Sequence, residues 1–308
     1  MSPTRRISRR RFTAEAVAPI TERAHPDSGN LDRQSARSIV SLILREDESA
    51  LRRLRSNLGA IARGAEAIAR AVRDGGRLIY VGAGTSGRIG ALDAAEWPPT
   101  FGIPPARVRA VLAGGRKAID RAVEGAEDSA GDGASAMRSA RADSGDVVCG
   151  ITAGGLTPFV LGALRQAGLK GATRILITSN RSSPAEAEIR ISLGTGPEVL
   201  AGSTRMKAGI ATHAVLQAMS TAAAVLCGRV YGNRMVGMRA TNRKLRTRAK
   251  GIISEICGVS PRRAGALLDR AGGEVTVAIV MESRGESARA ARQILRSAGN
   301  LRSALEGA

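Results

Sequence analysis

The 308-residue chain predicts an α/β fold: a parallel sheet covered by helices on both faces, followed by a small C-terminal helical domain. Three observations carry this. Short apolar runs at residues 77–82, 108–113, 146–152, 173–178 and 189–192 are separated by helical segments, the pattern of strands buried on both faces. Hydrophobic residues make up 43% of the chain but aromatic ones only 2%, and there are 37 glycines. Packing must therefore rest on small and branched aliphatic side chains. From about residue 254 the composition changes to short amphipathic helices separated by Gly and Ser. The expected division is a disordered basic extension over 1–17, a main domain with its N-terminal helices over 18–250, and a helical domain over 251–308.

Taken in order, residues 35–74 have helical periodicity with many i to i+4 charge pairs, and Gly75-Gly76 ends the second helix. Residues 77–82 form a strand that enters a glycine loop. The helix after the loop is expected to stop at Pro98-Pro99, because proline removes a helical donor and clashes with the preceding turn. The remaining strands follow with right-handed crossovers. A long helix is expected near residues 203–227.

The formal net charge of +20 raises nucleic-acid binding, since basic clusters bind polyanions by releasing counterions. Its distribution argues against that reading. The basic residues are nearly all Arg, they are scattered through ordinary helices, and aromatic platforms for bases are scarce. Cys149, Cys227 and Cys257 are far apart and only His25 and His213 are present, so no zinc-ligand spacing exists. This suits a reducing compartment, and no run is expected to span a bilayer. Ser8-Arg9-Arg10-Arg11-Phe12 resembles a twin-arginine export address, but Glu15, Pro19, Glu22 and Arg23 interrupt the apolar stretch that should follow. The cytoplasm is the expected location.

Gly82-Ala83-Gly84-Thr85-Ser86-Gly87 satisfies G-x-G-x-x-G between a strand and a helix. A dinucleotide site also needs an acidic residue about 20 positions on, and residues 102–115 hold none. Thr85 and Ser86 place hydroxyls beside the free N–H groups of a helix start, which suits a small phosphomonoester. A turn that only lets strand and helix approach closely is the simpler alternative.

Glu96 falls near the end of the helix opened by this loop, about three turns on. Carbonyl dipoles at the helix end and an apolar Trp97 neighbour are expected to raise its pKa toward that of a useful general acid. Glu124 and Glu127 lie three apart and are expected to share a helical face, either being a candidate base. A solvated helix end paired with Arg121 explains the same cluster.

The loop together with residues 93–100, 122–128 and Gly196-Pro197-Glu198-Val199-Leu200-Ala201-Gly202-Ser203-Thr204-Arg205-Met206-Lys207-Ala208-Gly209 closely resembles the N-acetylmuramic acid 6-phosphate etherase family. The likeness starts near Thr21-Glu22 and covers most of the chain. It implies a sugar isomerase (SIS), flavodoxin-like fold and a lyase that releases D-lactate from N-acetylmuramic acid 6-phosphate in cell-wall sugar recycling, with no metal or other cofactor. It selects Glu127 over Glu124 as base and gives Glu96 the role of proton donor to the leaving group. Phosphate contacts would fall on Gly84, Thr85 and Ser86, on Gly154 and Thr157 of a second loop, and on Ser203, Thr204 and Lys207. Lys207 has Glu198 as an alternative partner. A homodimer is implied, with residues 21–32 contributing to a neighbour's pocket; a small-molecule sugar phosphate is the expected ligand, with neither membrane nor nucleic acid as partner.

The sequence also departs from the family pattern. The second loop, often Ala-Ser-Gly-Arg-Thr-Pro, is here Ala153-Gly154-Gly155-Leu156-Thr157-Pro158; His25 replaces an Asn, and Trp97 replaces a smaller residue. Two alternatives share the fold: a non-catalytic sugar-phosphate sensor similar to glucokinase regulatory protein, and a sugar-phosphate isomerase.

Overall fold

All five apolar runs form strands, paired in parallel in the order β2-β1-β3-β4-β5. The strands of the computed structural model, which describes residues 19–307, are β1 (Leu78–Gly82), β2 (Val108–Leu112), β3 (Val147–Ile151), β4 (Thr173–Thr178) and β5 (Ile189–Ser192). Residues 1–17, with the expected extension and the twin-arginine-like motif, lie outside the described residues.

The pleat sends alternate side chains to opposite faces, and each face builds its own core. On one face Leu78, Tyr80, Val147, Cys149, Ile175 and Ile177 pack under α1 (Ala36–Arg53), α2 (Leu58–Arg73), α3 (Gly84–Phe101) and α6 (Lys207–Leu226). On the other, Ile79, Val81, Val148 and Leu176 meet α4 (Ala130–Ser139) and α5 (Pro158–Leu169). Crossovers leaving β1 and β3 in opposite directions put α3 and α5 on opposite faces. The carboxyl ends of β1 and β3 thus flank the crevice where ligands bind in open sheets of this strand order.

A third core gathers α7 (Arg243–Cys257), α8 (Pro261–Arg270), α9 (Val275–Arg284), α10 (Ala288–Ala298) and α11 (Leu301–Glu306). Helix α7 crosses residues 250–251, and its buried Leu245, Ala249, Ile252 and Ile253 all join that core.

Two sequence expectations need correction. Helix α3 does not stop at Pro98-Pro99; both prolines lie inside it, and it ends at Gly102, whose φ of 67° makes a left-handed cap with its N–H on the Pro98 carbonyl. The continued turn buries Trp97 and Phe101, whose rings meet edge to face at 5.7 Å, and this offsets the two missing backbone donors. Helix α6 is long and apolar enough to cross a membrane. In the fold it is a core helix, with Ala208, Ala211, Val215, Leu216 and Met219 buried.

Candidate functional site

The glycine loop leaves β1 at the crevice and opens α3. Gly82 and Gly87 are required by close approach: a Cβ on Gly87 would stand 2.7 Å from the Gly82 carbonyl oxygen. Gly84 answers a different demand. Its φ is 50° and open space surrounds it, so it shapes the turn without touching a neighbour. The simple close-approach reading therefore accounts for two of the three glycines. Helix α3 has no side-chain cap at Ala83, which leaves its first N–H groups without an intrahelical acceptor beside the half-buried Thr85 and Ser86.

Glu127 reaches this loop. A small cavity of about 180 Å³ is walled by Ala83 and Gly84 on one side and by Glu124, Gly125, Ala126 and Glu127 on the other. The acidic segment is a turn rather than the expected helix: Gly125 has φ 71°, the Ala126 N–H bonds the Val123 carbonyl and that of Asp128 bonds the Gly125 carbonyl. A glycine in a left-handed conformation cannot continue a helix at acceptable cost, which is why three-residue spacing misleads here. Two contacts fix the segment. Arg88, one turn into α3, donates to the carbonyls of Ala118, Ile119 and Arg121, and the Glu127 carbonyl accepts from the Phe159 N–H at the start of α5.

Glu96 stands elsewhere. It is exposed, roughly 18 Å along α3 from Gly84, and does not line the small cavity that Glu127 does. Trp97 does not lie against it as expected. Successive helical residues diverge by about 100°, and Trp97 turns into the core, where its indole N–H donates to Asp93 at 2.9 Å.

Asp93 was not singled out by the sequence. Buried beneath α3, its carboxylate accepts from Tyr80 Oη at 2.6 Å, Trp97 Nε1 and Ser220 Oγ at 2.8 Å, tying α3 to β1 and α6. Burial, then the Asp93 charge, pushes the Tyr80 phenol well above its ordinary pKa, so it stays a donor.

The second loop is closed upon itself. Thr157 and Thr152 share a hydrogen bond at 2.8 Å, the Gly155 N–H bonds Thr152, and the carbonyls of Gly154 and Gly155 accept from Asn180 and Ser183. Gly154 is half-buried and would meet Pro19 through a Cβ, so the N-terminal segment lies against this loop.

Lys207 begins α6 beside the glycine loop: a Cβ on Gly209 would sit 3.6 Å from the Thr85 methyl carbon. Half-buried Ser203 and Thr204 precede it. Its alternative partner resolves differently from expectation. Lys207 Nζ donates to Glu46 Oε2 at 2.7 Å, and His25 Nε2 lies 3.1 Å from the same oxygen. Glu198 instead caps the helix, accepting the backbone N–H groups of Lys207 and Ala208. Burial pushes the Glu198 carboxyl up, and those N–H groups partly counter it. Thr21 and His25 are buried, with the Gly202 N–H on the Thr21 carbonyl, while residues 22–24 between them are exposed.

The geometry thus brings Gly84, Thr85 and Glu127 to one end of the sheet, with the start of α6 alongside. Residues 60–168 match the glucokinase regulatory protein N-terminal SIS domain. Over 292 residues the chain is 47% identical to N-acetylmuramic acid 6-phosphate etherase of Gloeothece citriformis, covering 94% of this chain and 95% of that protein. The etherase of Trichormus variabilis is 47% identical over 93% of this chain and 94% of its own length. That of Rubrobacter xylanophilus is 45% identical, over 93% and 95%. At 45–47% identity over 93–94% of its length, the chain belongs to the N-acetylmuramic acid 6-phosphate etherase family.

Proposed function

We propose that the chain cleaves the D-lactyl ether of N-acetylmuramic acid 6-phosphate by elimination and water addition, giving N-acetylglucosamine 6-phosphate and D-lactate. Family membership supplies the substrate. The observation that carries the site is the shared cavity, lined by Glu127 and by Gly84 of the glycine loop, the proposed phosphate cradle.

In the open-chain aldehyde the lactyl ether at carbon 3 is beta to the carbonyl, so loss of the carbon 2 proton lets lactate leave. Glu127 takes that proton. Glu96 gives a proton to the departing ether oxygen, then activates water for addition at carbon 3. The phosphate rests on the N–H groups at the start of α3 with Thr85 and Ser86, and Ser203, Thr204 and Lys207 complete its surroundings. Gly154 and Thr157 border the same crevice from β3.

The protein acts as a homodimer in the cytoplasm, and its two glutamates meet across the subunit boundary. Support comes from the exposed Glu96, far along α3 from its own cradle, and from an apolar seam. Val40, Leu44 and Leu51 of α1 and Leu58 of α2 are exposed in line, as residues covered by a second copy would be. The sugar-phosphate domain, expected over 18–250, and its helical appendage, expected over 251–308, are proposed as the two units, with α7, which crosses that boundary, going with the appendage.

Incubating purified protein with N-acetylmuramic acid 6-phosphate and assaying D-lactate tests the proposal. Stoichiometric D-lactate and N-acetylglucosamine 6-phosphate are expected. Tight binding without lactate would point to a sensor, and aldose–ketose interconversion to an isomerase.

A further inference from the structure

Helix α6 starts beside the cradle and ends, 20 residues and roughly 30 Å away, against the helical C-terminal region. Just past its end, Arg229 borders a cavity of about 730 Å³, a volume suited to a small molecule. Arg73 at the end of α2 and Arg302 of α11 line the same cavity, and no carboxylate among the described residues does.

Arg229 is the informative member. Its backbone is fixed on both sides, its N–H on the Ala224 carbonyl and its own carbonyl on the Gly237 N–H. Its aliphatic stem lies on Gly237, where a Cβ would come within 3.1 Å of Arg229 Cβ and Cδ. Its Nε is buried and has no hydrogen-bond partner among the described residues. A buried guanidinium N–H without an acceptor is costly, and such groups are normally satisfied. The dipole at the end of α2 accounts for Arg73. It does not account for Arg229. Arg302 is stacked over the Tyr231 ring at 4.9 Å, and its exposed pair with Glu306 is of the weak kind that an incoming anion displaces.

We propose that the cavity around Arg73, Arg229 and Arg302 binds the phosphate group of a small molecule at a site separate from the cradle. The planar guanidinium fork matches phosphate oxygens in pairs, and three such side chains line this one cavity. Free phosphate and a phosphorylated metabolite share this chemistry. The inference is independent of the reaction assigned to the cradle.

Equilibrium dialysis of the full chain against radiolabelled inorganic phosphate, at physiological ionic strength, tests it, with glucose 6-phosphate as competitor. The wild type is expected to bind a second phosphate per chain beyond that in the cradle. In Arg229→Gln the second affinity should fall about tenfold or more while the first is kept. Arg302→Gln, at an exposed position, should weaken it severalfold and carries the test should Arg229→Gln fail to fold. In Ser86→Ala the second site should persist. With the first site weakened in Ser86→Ala, displacement of the remaining phosphate by glucose 6-phosphate at lower concentration than by phosphate identifies a sugar phosphate as ligand; equal displacement identifies free phosphate. A second class that is absent from the wild type, or unchanged in both arginine variants, overturns the proposal.

Discussion

Lys207 Nζ donates to Glu46 Oε2 at 2.7 Å, joining the start of α6 to α1 across 161 residues of sequence. Both side chains are largely buried, at 4% and 18% exposure, and His25 shares the same carboxylate oxygen. Burial alone would raise the Glu46 pKa, but hydrogen bonds from Lys207 and His25 outweigh it and hold the carboxyl below its ordinary 4.5. The stability this provides is complete above that value and disappears as pH falls through the depressed one. Neighbouring Asp47 is pushed the other way by burial. Glu46→Gln should cost about 2–4 kcal/mol near neutral pH, because it strands a buried ammonium. Urea unfolding of wild type and variant across acid pH checks this. The gap should close below the ordinary carboxylate range.

The Asp93 carboxylate gathers three neutral donors, so its replacement is expected to be felt in the core. Asp93→Asn should destabilise by about 2–3 kcal/mol, since its amide cannot accept from all of them. Trp97→Phe, which removes one donor, should cost about 1–2 kcal/mol. Denaturant midpoints at constant m-value give both numbers.

Glycines of the cradle should separate into two kinds. Gly87→Ala drives a methyl group into the Gly82 carbonyl and should cost about 2–3 kcal/mol or more. Gly84→Ala meets open space but is strained at φ 50°, and should cost only about 1 kcal/mol. Thermal unfolding of the two variants orders them.

A shared site leaves a signature in mixtures. Glu96→Gln and Glu127→Gln homodimers should each be inactive, but subunit exchange between them should restore roughly a quarter of wild-type activity, because half the dimers are mixed and each then holds one site with both glutamates. Turnover after mixing measures it. Silence of the mixture would place both glutamates of each site on one chain.

The strands were legible because strands buried on both faces appear as continuous apolar runs, and β4 and β5 fall on the expected residues. What eluded the sequence depended on distant partners. Lys207 had an obvious acid in Glu198, yet Glu198 caps a helix and the ammonium turns to Glu46. Asp93 looked like an ordinary helix residue until Tyr80 and Ser220 converged on it. Pro98-Pro99 looked like a stop because burial of Trp97 and Phe101 is a tertiary gain that no local rule contains. The Glu124 and Glu127 spacing suited a helix, and Gly125 made it a turn. The glycine loop was readable as the turn from strand to helix, but the cavity that Gly84 shares with Glu127 depends on tertiary placement that no local pattern contains.

The central claim, separate proton-transfer roles for Glu127 and Glu96, is tested by following N-acetylmuramic acid 6-phosphate in deuterium oxide by proton NMR, reading carbon 2 exchange and lactate release together. The wild type should show both, Glu96→Gln should exchange the carbon 2 proton without releasing lactate, and Glu127→Gln should do neither. Equal exchange in the two variants would contradict the account.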